Sequence, residues 1–366
     1  MEFKALLELM VEKKASDLFI TSGRAPTIKV DGKLEEVSGG QLNAKQAMQI
    51  VKGVMSQKQK DEFDNTHECN FAISVPNLAR FRVSAFIQRA EAGMVLRRIE
   101  NHVPSAEDLN LPPILKNVIM EKRGLVLFVG ATGTGKSTSM AALIKHRNQN
   151  SSGHIISIED PIEYTHPHLN CIVTQREVGI DTESYEVALK NTLRQAPDVI
   201  LIGEVRTRDA MQNAITFAET GHLCITTLHA NNANQALDRI LHFFPENMHK
   251  QLFMDLSLNL KCIVAQQLIK RADGKGRYPA MEILLNTPLM SDLIQKGEIH
   301  KIKELMKQSR EHGMQTFDQS LYDLYVSGKI SYEDALNSAD SRNEIRLMIK
   351  LGAETTGTFG EDDDSL

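Results

Sequence analysis

The nine residues Gly130-Ala-Thr-Gly-Thr-Gly-Lys-Ser-Thr138 constrain this chain more than any other stretch. They fit G-x-x-x-x-G-K-[ST] and lie between the apolar run Leu125–Val129 and a helical pattern over about Ser137–Gln149, the strand–loop–helix context that gives such a match meaning. The glycines let the backbone turn so that successive N–H groups point inward at phosphate oxygens. A helix starting here adds the positive end of its dipole. The predicted phosphate-binding set is Gly130, Ala131, Thr132, Gly133, Thr134, Gly135, Lys136, Ser137 and Thr138. Lys136 has the length to reach the β- and γ-phosphates of ATP, and the Ser137 hydroxyl is a ligand for Mg²⁺.

The surroundings of the loop predict an α/β domain. Leu125–Val129, Ile155–Ile158, Val199–Ile202 and Leu223–Thr227 are short continuous apolar runs, alternating with helical patterns at about Ser137–Gln149, Ser184–Gln195 and Arg208–Thr220. Apolar strands that alternate with helices belong to a parallel sheet covered on both faces. From about Leu237 the pattern is mostly helical. Before the loop region the pattern differs. Apolar residues recur at helical spacing over 2–14, and a hairpin signal in 28–34 turns at Asp31-Gly32. A helix over about Ala44–Gln57 and strands near Cys69–Val75, Ala79–Phe86 and Met94–Ile99 follow, with a turn at Pro76-Asn77. In Ala79–Phe86, Ala79, Phe81, Val83 and Ala85 alternate with Arg80, Arg82 and Ser84, so one face is buried and the other carries two arginines. The expected organisation is a small α+β domain over 1–100, a proline-bearing linker over 101–113, an α/β domain over 114–350 and a disordered acidic tail over 351–366.

Charge bears on what such a chain works on. The formal charge is −5, but five acids and no Lys or Arg follow Leu351, which leaves 42 acids against 42 bases before it. A body without basic excess argues against a general nucleic-acid partner. The four cysteines contain no Cys-x-x-Cys pair, which argues against structural zinc and a disulfide framework. The opening residues lack a basic region followed by an apolar stretch, and no apolar run approaches the ~20 residues of a membrane helix, so no signal peptide and no membrane insertion are expected.

Acids and histidines near the ends of the predicted strands complete a candidate site. Glu204 ends the run Val199-Ile-Leu-Ile-Gly-Glu, placing it at the carboxyl edge of the sheet, where ligands of open α/β sheets bind. It is the predicted holder of Mg²⁺, through water, together with Ser137. Ile158-Glu-Asp-Pro-Ile-Glu-Tyr164 supplies further acids after a strand. A water attacking the γ-phosphate needs an orienting carboxylate, and Glu163 is the predicted one, with Glu159 and Asp160 in supporting positions. His222 and His229 bracket another strand; His229 leaves its carboxyl end and is predicted to touch the γ-phosphate, with His222 as a second candidate for nucleotide contact.

Taken in order, the loop at 130–138, Glu-Asp-Pro-Ile-Glu at 159–163, Gln-Arg-Glu-Val-Gly at 175–179, Leu-Ile-Gly-Glu-Val-Arg at 201–206 and the histidine segment 219–230 resemble the type II secretion and type IV pilus ATPases. Within that family the chain looks like the PilT/PilU retraction branch, and most like PilU-type sequences in Ala230–Arg239, Thr287–Ile294, Gly313–Asp318 and the acidic tail. The resemblance implies a C-terminal RecA-like P-loop NTPase domain and a smaller N-terminal α+β domain of PAS-like type. It implies an ATP- and Mg²⁺-dependent homo-hexamer at the inner face of the cytoplasmic membrane, powering or assisting pilus retraction and twitching motility. The implied partners are a PilT-type ATPase and an inner-membrane platform protein. It also implies that Arg82 and Arg97, on neighbouring strands of the first domain, approach the phosphates, with Arg80, Arg194, Arg206 and Arg239 as unranked candidates. One departure stands out: PilT-type proteins carry Ala-Ile-Arg-Asn-Leu-Ile where this chain has Leu289-Met-Ser-Asp-Leu-Ile294, so Ser291 replaces an arginine tied to retraction and places autonomous retraction in question.

Overall fold

A computed structural model describes residues 3–356 other than 31, 38, 77, 100 and 101, with side chains as far as Leu351. The Asp31 and Asn77 positions of two expected turns, and residues 357–366 of the expected tail, lie outside the described residues. The chain divides into two units. One contains the residues up to Val103 together with Asp160–His166 and Gln175–Ser184; the other contains Pro104–Glu159, Pro167–Thr174 and the chain from Tyr185 onward.

In the first unit the elements run α1 (Phe3–Glu12), β1 (Asp17–Ile20), β2 (Thr27–Val30), β3 (Lys33–Glu36), α2 (Ala44–Gly53), α3 (Gln57–Thr66), β4 (Glu68–Val75), β5 (Ala79–Gln88) and β6 (Glu91–Ile99). The strands form a six-stranded antiparallel sheet in the order β3-β2-β1-β6-β5-β4. The helix expected over 44–57 is two helices. Ser56 accepts the Gln59 N–H and Gln59 returns a bond to the Ser56 N–H, a capping box that starts a new helix at Gln57. Leu6, Leu7 and Met10 of α1 and Phe63 of α3 share a buried core with Phe81, Val83, Met94 and Leu96, one face of the sheet. The alternation in β5 therefore has the expected sense, with Phe81 and Val83 inside and Arg80 and Arg82 on the other face.

The second unit runs α4 (Ile114–Ile119), β7 (Gly124–Val129), α5 (Lys136–Asn150), β8 (Gly153–Glu159), β9 (Cys171–Glu177), α6 (Tyr185–Thr192), β10 (Val199–Ile202), α7 (Arg208–Glu219) and β11 (Leu223–Leu228). It continues with α8 (Ala233–His242), α9 (His249–Asn259), β12 (Leu260–Lys270), β13 (Arg277–Leu285), α10 (Pro288–Gln295), α11 (Ile302–Gln308), α12 (Phe317–Val326), α13 (Tyr332–Ser338) and α14 (Arg342–Thr356). Seven strands make one sheet in the order β13-β12-β7-β11-β10-β8-β9. The pairs β12–β7, β7–β11, β11–β10 and β10–β8 are parallel, and β12–β13 is an antiparallel hairpin. Phe128, Val126, Ile155, Val199 and Ile225 lie in its main core. All four cysteines are buried free thiols.

The hairpin β12–β13 interrupts the region expected to be mostly helical. Its buried apolar run Cys262–Ala265 is four residues long, too short for periodicity to separate strand from helix. The parallel core puts the carboxyl ends of β7, β8, β10 and β11 on one edge, and that edge carries the site.

Candidate active site

At the carboxyl end of β7 the chain enters the loop at Gly130, with φ +150°. A Cβ there would lie 2.7 Å from both the Thr134 Oγ1 and the Gln266 carbonyl oxygen, so only glycine fits. The loop is pinned from within and from β12. The Thr134 hydroxyl donates to the Ala131 carbonyl at 2.9 Å, and the Gln266 amide donates to the Thr134 carbonyl at 2.8 Å. Gly135 precedes the first turn of α5, whose leading N–H groups have no intrahelical partner. Lys136 is buried, and its ammonium donates to the carbonyls of Gly130 at 2.7 Å and Ala131 at 2.8 Å. Neutral carbonyls are weaker partners for a cation than phosphate oxygens, so the lysine is held where it can exchange them for a nucleotide.

Beside the loop, the chain leaving β10 is fixed from two sides. The Gly203 N–H donates to the Ile158 carbonyl at 2.8 Å, and its carbonyl accepts from the Thr227 hydroxyl at 2.7 Å. This sets the backbone from which Glu204 projects. Its carboxylate, 17% exposed, accepts from His229 Nε2 at 2.8 Å through Oε1, and from Arg206 Nε at 2.8 Å and Nη2 at 2.7 Å through Oε2. A carboxylate only accepts, so a neutral His229 carries its proton on Nε2. Glu204 and His229, predicted from separate segments, thus form a direct contact, and Arg206 is the arginine among the unranked candidates that joins them. The Ser157 hydroxyl donates to Glu159 Oε1 at 2.6 Å, holding that acid at the end of β8. A serine hydroxyl and a carboxylate are hard oxygen donors of the kind Mg²⁺ selects, so Ser137 and Glu204 fit the ion chemically.

Glu163 is exposed and belongs to the first unit. The backbone around it is held by the Gln175–Gly179 motif. Gln175 donates to the Tyr164 carbonyl at 2.9 Å and accepts from the His166 N–H at 2.8 Å. Two residues on, buried Glu177 accepts from the Ile162 N–H and has Arg80 Nη2 at 3.5 Å. Burial pushes the Glu177 carboxyl above its ordinary value, against the pull of Arg80, the Ile162 N–H and Arg82. Arg82 is half-buried on the same strand face, whereas Arg97 is exposed and ion-paired with Asp17 at 2.8 Å. Arg194 is exposed, and the Arg239 guanidinium stands 5.7 Å from the Phe243 ring centre.

His222 is not brought to the loop. β11 runs parallel to β7 with Leu223 opposite Gly124 and Leu228 opposite Val129, so His222 stands at the amino edge, roughly 20 Å of strand away from Gly130. Its Nδ1 lies 3.1 Å from the Thr220 hydroxyl and 3.2 Å from the Phe217 carbonyl, at the end of α7. The expectation that it contacts nucleotide on this edge is corrected: a histidine preceding a strand of a parallel sheet lies at the edge opposite one that follows it. Gln266 supports the loop and lies outside every motif; Thr227 and Glu177 lie within motifs to which the sequence assigned no such role. The only sign of Gln266 was a polar residue directly after the apolar run ending at Ala265.

A lysine-bearing phosphate loop and a carboxylate–histidine pair on one edge of a parallel sheet define a P-loop ATPase with a RecA-like core. The family model for type II/IV secretion system proteins matches residues 2–336, and the chain belongs to that family of ATPases. It is 65% identical over 355 residues to the type IV pilus ATPase PilU of Pseudomonas aeruginosa, covering 97% of this chain and 93% of PilU. It is 39% identical to the type IV pilus retraction ATPase PilT of the same organism over 339 residues, 93% of this chain and 98% of PilT. The fold matches a crystal structure of the pilus retraction motor PilT with bound ADP at a TM-score of 0.89 and 36% identity, over 95% of this chain and all of that one.

Proposed function

We propose that this chain is a Mg·ATP-hydrolysing motor of the PilT/PilU type that works as a ring of six and drives or assists retraction of type IV pili in twitching motility. The observation that carries this reading is the contact of Glu204 with His229 on the sheet edge that also bears the Lys136 loop. Identity to PilU and PilT over nearly the whole chain supports the pilus assignment.

In this mechanism Lys136 leaves the Gly130 and Ala131 carbonyls for the phosphate oxygens, and the N–H groups of residues 130–138 close around them. Ser137, with Glu204 acting through a water, would hold Mg²⁺, which when bound supplies positive charge to the β- and γ-phosphate oxygens. Glu163 orients the attacking water, with Gln175 and Glu177 fixing its backbone. His229 reports the γ-phosphate to Glu204, since contact with one changes its hold on the other. Arg82 contributes charge toward the phosphates; Arg97, held by Asp17, would first exchange that pair. Loss of the γ-phosphate contacts is converted into motion through segment 101–113.

The proposed partners are further copies of this chain, a PilT-type ATPase and an inner-membrane platform protein at the cytoplasmic face. Among the described residues no helix is long and apolar enough to cross a membrane, which fits attachment through partners. Ser291, at the position where PilT-type sequences carry an arginine, turns its hydroxyl to the Ser257 carbonyl at 2.7 Å and ties α10 to α9. That inward tie supports the assisting role over autonomous retraction. Deleting this gene and, separately, a PilT-type gene in one strain and measuring pilus retraction tests the reading. Loss of retraction force with either deletion is expected, with complete loss only for the PilT-type gene; retraction unaltered without this chain would refute the assignment.

A further inference from the structure

Gly203, the residue before Glu204, does not have a left-handed backbone, so its conformation does not require glycine. Space does. A Cβ at this position would lie 2.9 Å from the Tyr185 hydroxyl oxygen, 3.1 Å from the Glu159 Cα and 3.2 Å from the Ile158 carbonyl oxygen. Tyr185 opens α6, some twenty residues earlier in the chain, and its phenol reaches across to the gap between the carboxyl ends of β8 and β10. Its oxygen fills the volume that a side chain at residue 203 would otherwise take.

The same space at Gly203 is bordered by parts of the site. On one side is the backbone of Glu159, whose carboxylate is held by Ser157. On the other is Gly203, clasped by Ile158 and Thr227, and next along the chain is Glu204 with its bonds to His229 and Arg206. A phenol in a gap of this kind can donate and accept, and the ring holds it with two torsions only. Neither the loop motif nor the acidic and histidine segments use this tyrosine.

We propose that Tyr185 is a positioning residue for the Glu204 carboxylate, its hydroxyl wedging the end of β10 against β8 so that Glu204 stays on His229. The inference rests on the ATPase reading of the site. Displacement of a reacting or metal-holding group by a fraction of an ångström lowers turnover while leaving nucleotide affinity, which the loop supplies, largely intact.

The test is steady-state ATP turnover together with thermal melting for Tyr185→Phe, Gly203→Ala and the double variant. Tyr185→Phe keeps the ring and removes the hydroxyl. It is expected to lower kcat about tenfold with KM for ATP within about twofold and melting within about 2 °C of the wild type. Gly203→Ala places a methyl group and the hydroxyl in one volume and is expected to lower both turnover and melting temperature. Adding Tyr185→Phe to Gly203→Ala removes the closest of the three contacts and is expected to recover part of both losses, a non-additivity that marks direct contact. Wild-type turnover for Tyr185→Phe, or a fall in its kcat matched by a fall in melting temperature, overturns the proposal. So does a double variant no better than Gly203→Ala in melting, a readout that needs no ATP turnover. An inactive wild type, by contrast, refutes the ATPase reading itself.

Discussion

Replacing Gln266 by leucine separates the loop's tie to β12 from the rest of its chemistry. Gln266 is 2% exposed, its Nε2 donates to the Thr134 carbonyl at 2.8 Å, and its Oε1 is buried without a hydrogen-bond partner among the described residues. Leucine has nearly the same volume and neither polar atom. Losing the amide bond costs about 1 kcal/mol net, while removing an unpaired buried oxygen returns roughly 1–3 kcal/mol. The two contributions offset, so the melting temperature without nucleotide should stay within about 5 °C of the wild type. The loop, in contrast, loses a bond that favours its phosphate-binding shape. If that bond biases the loop by about 1 kcal/mol, affinity falls about fivefold, because binding must first restore the competent shape. Titration with a fluorescent ADP, run beside the melting curve, reads both quantities. Affinity within twofold of the wild type would refute the view that β12 shapes the loop; a collapse in melting temperature would refute the cancellation on which the magnitude depends.

Two further predictions concern the body that holds the site. Burial pushes the Glu282 carboxyl up to about 7, opposed by the Ala233 N–H and Lys303 and reinforced by Asp340. Because the folded value lies above the unfolded one, the stability linked to this group is complete below the ordinary carboxyl range and lost as pH rises through about 7. Glu282→Gln should therefore remove about 2–3 kcal/mol of that fall between pH 4.5 and 7.5, read as a flatter stability-against-pH curve; an unchanged slope would contradict it. Arg147 is buried, and its Nη1 donates to the Ile119 and Glu121 carbonyls, both at 2.7 Å, closing the end of α4. Arg147→Met keeps the stem and removes both bonds, and should lower stability by about 3 kcal/mol in denaturant titration, with a shift below about 1 kcal/mol counting against the cap.

The parts of the fold that a sequence shows best are those where one face or one run decides. Leu125–Val129, Val199–Ile202 and Leu223–Thr227 are apolar throughout because both faces of the sheet are covered, and the observed strands match them within a residue. The alternation of Ala79–Phe86 was legible for the opposite reason, one wet face and one dry. β9 and β12 were not legible, since each mixes a short apolar run with polar residues whose partners are distant in the chain. The site divides the same way. The loop carries its chemistry in nine consecutive residues, and Glu204 and His229 follow from standing after their strands. Gln266 and Tyr185 act through contacts more than a hundred residues away in one case and across a sheet edge in the other, which no local pattern encodes. His222 precedes β11 and so stands at the amino edge, as the parallel order of β7 and β11 requires.

Glu163→Gln tests most directly the proposed hydrolysis of ATP by this chain. The amide keeps the shape of the side chain and removes the charge proposed to orient water, while Lys136 and the loop are untouched. Steady-state turnover, measured beside fluorescent-nucleotide affinity on the same preparation, should fall at least about a hundredfold with affinity within about threefold of the wild type. Turnover equal to the wild type would contradict the account.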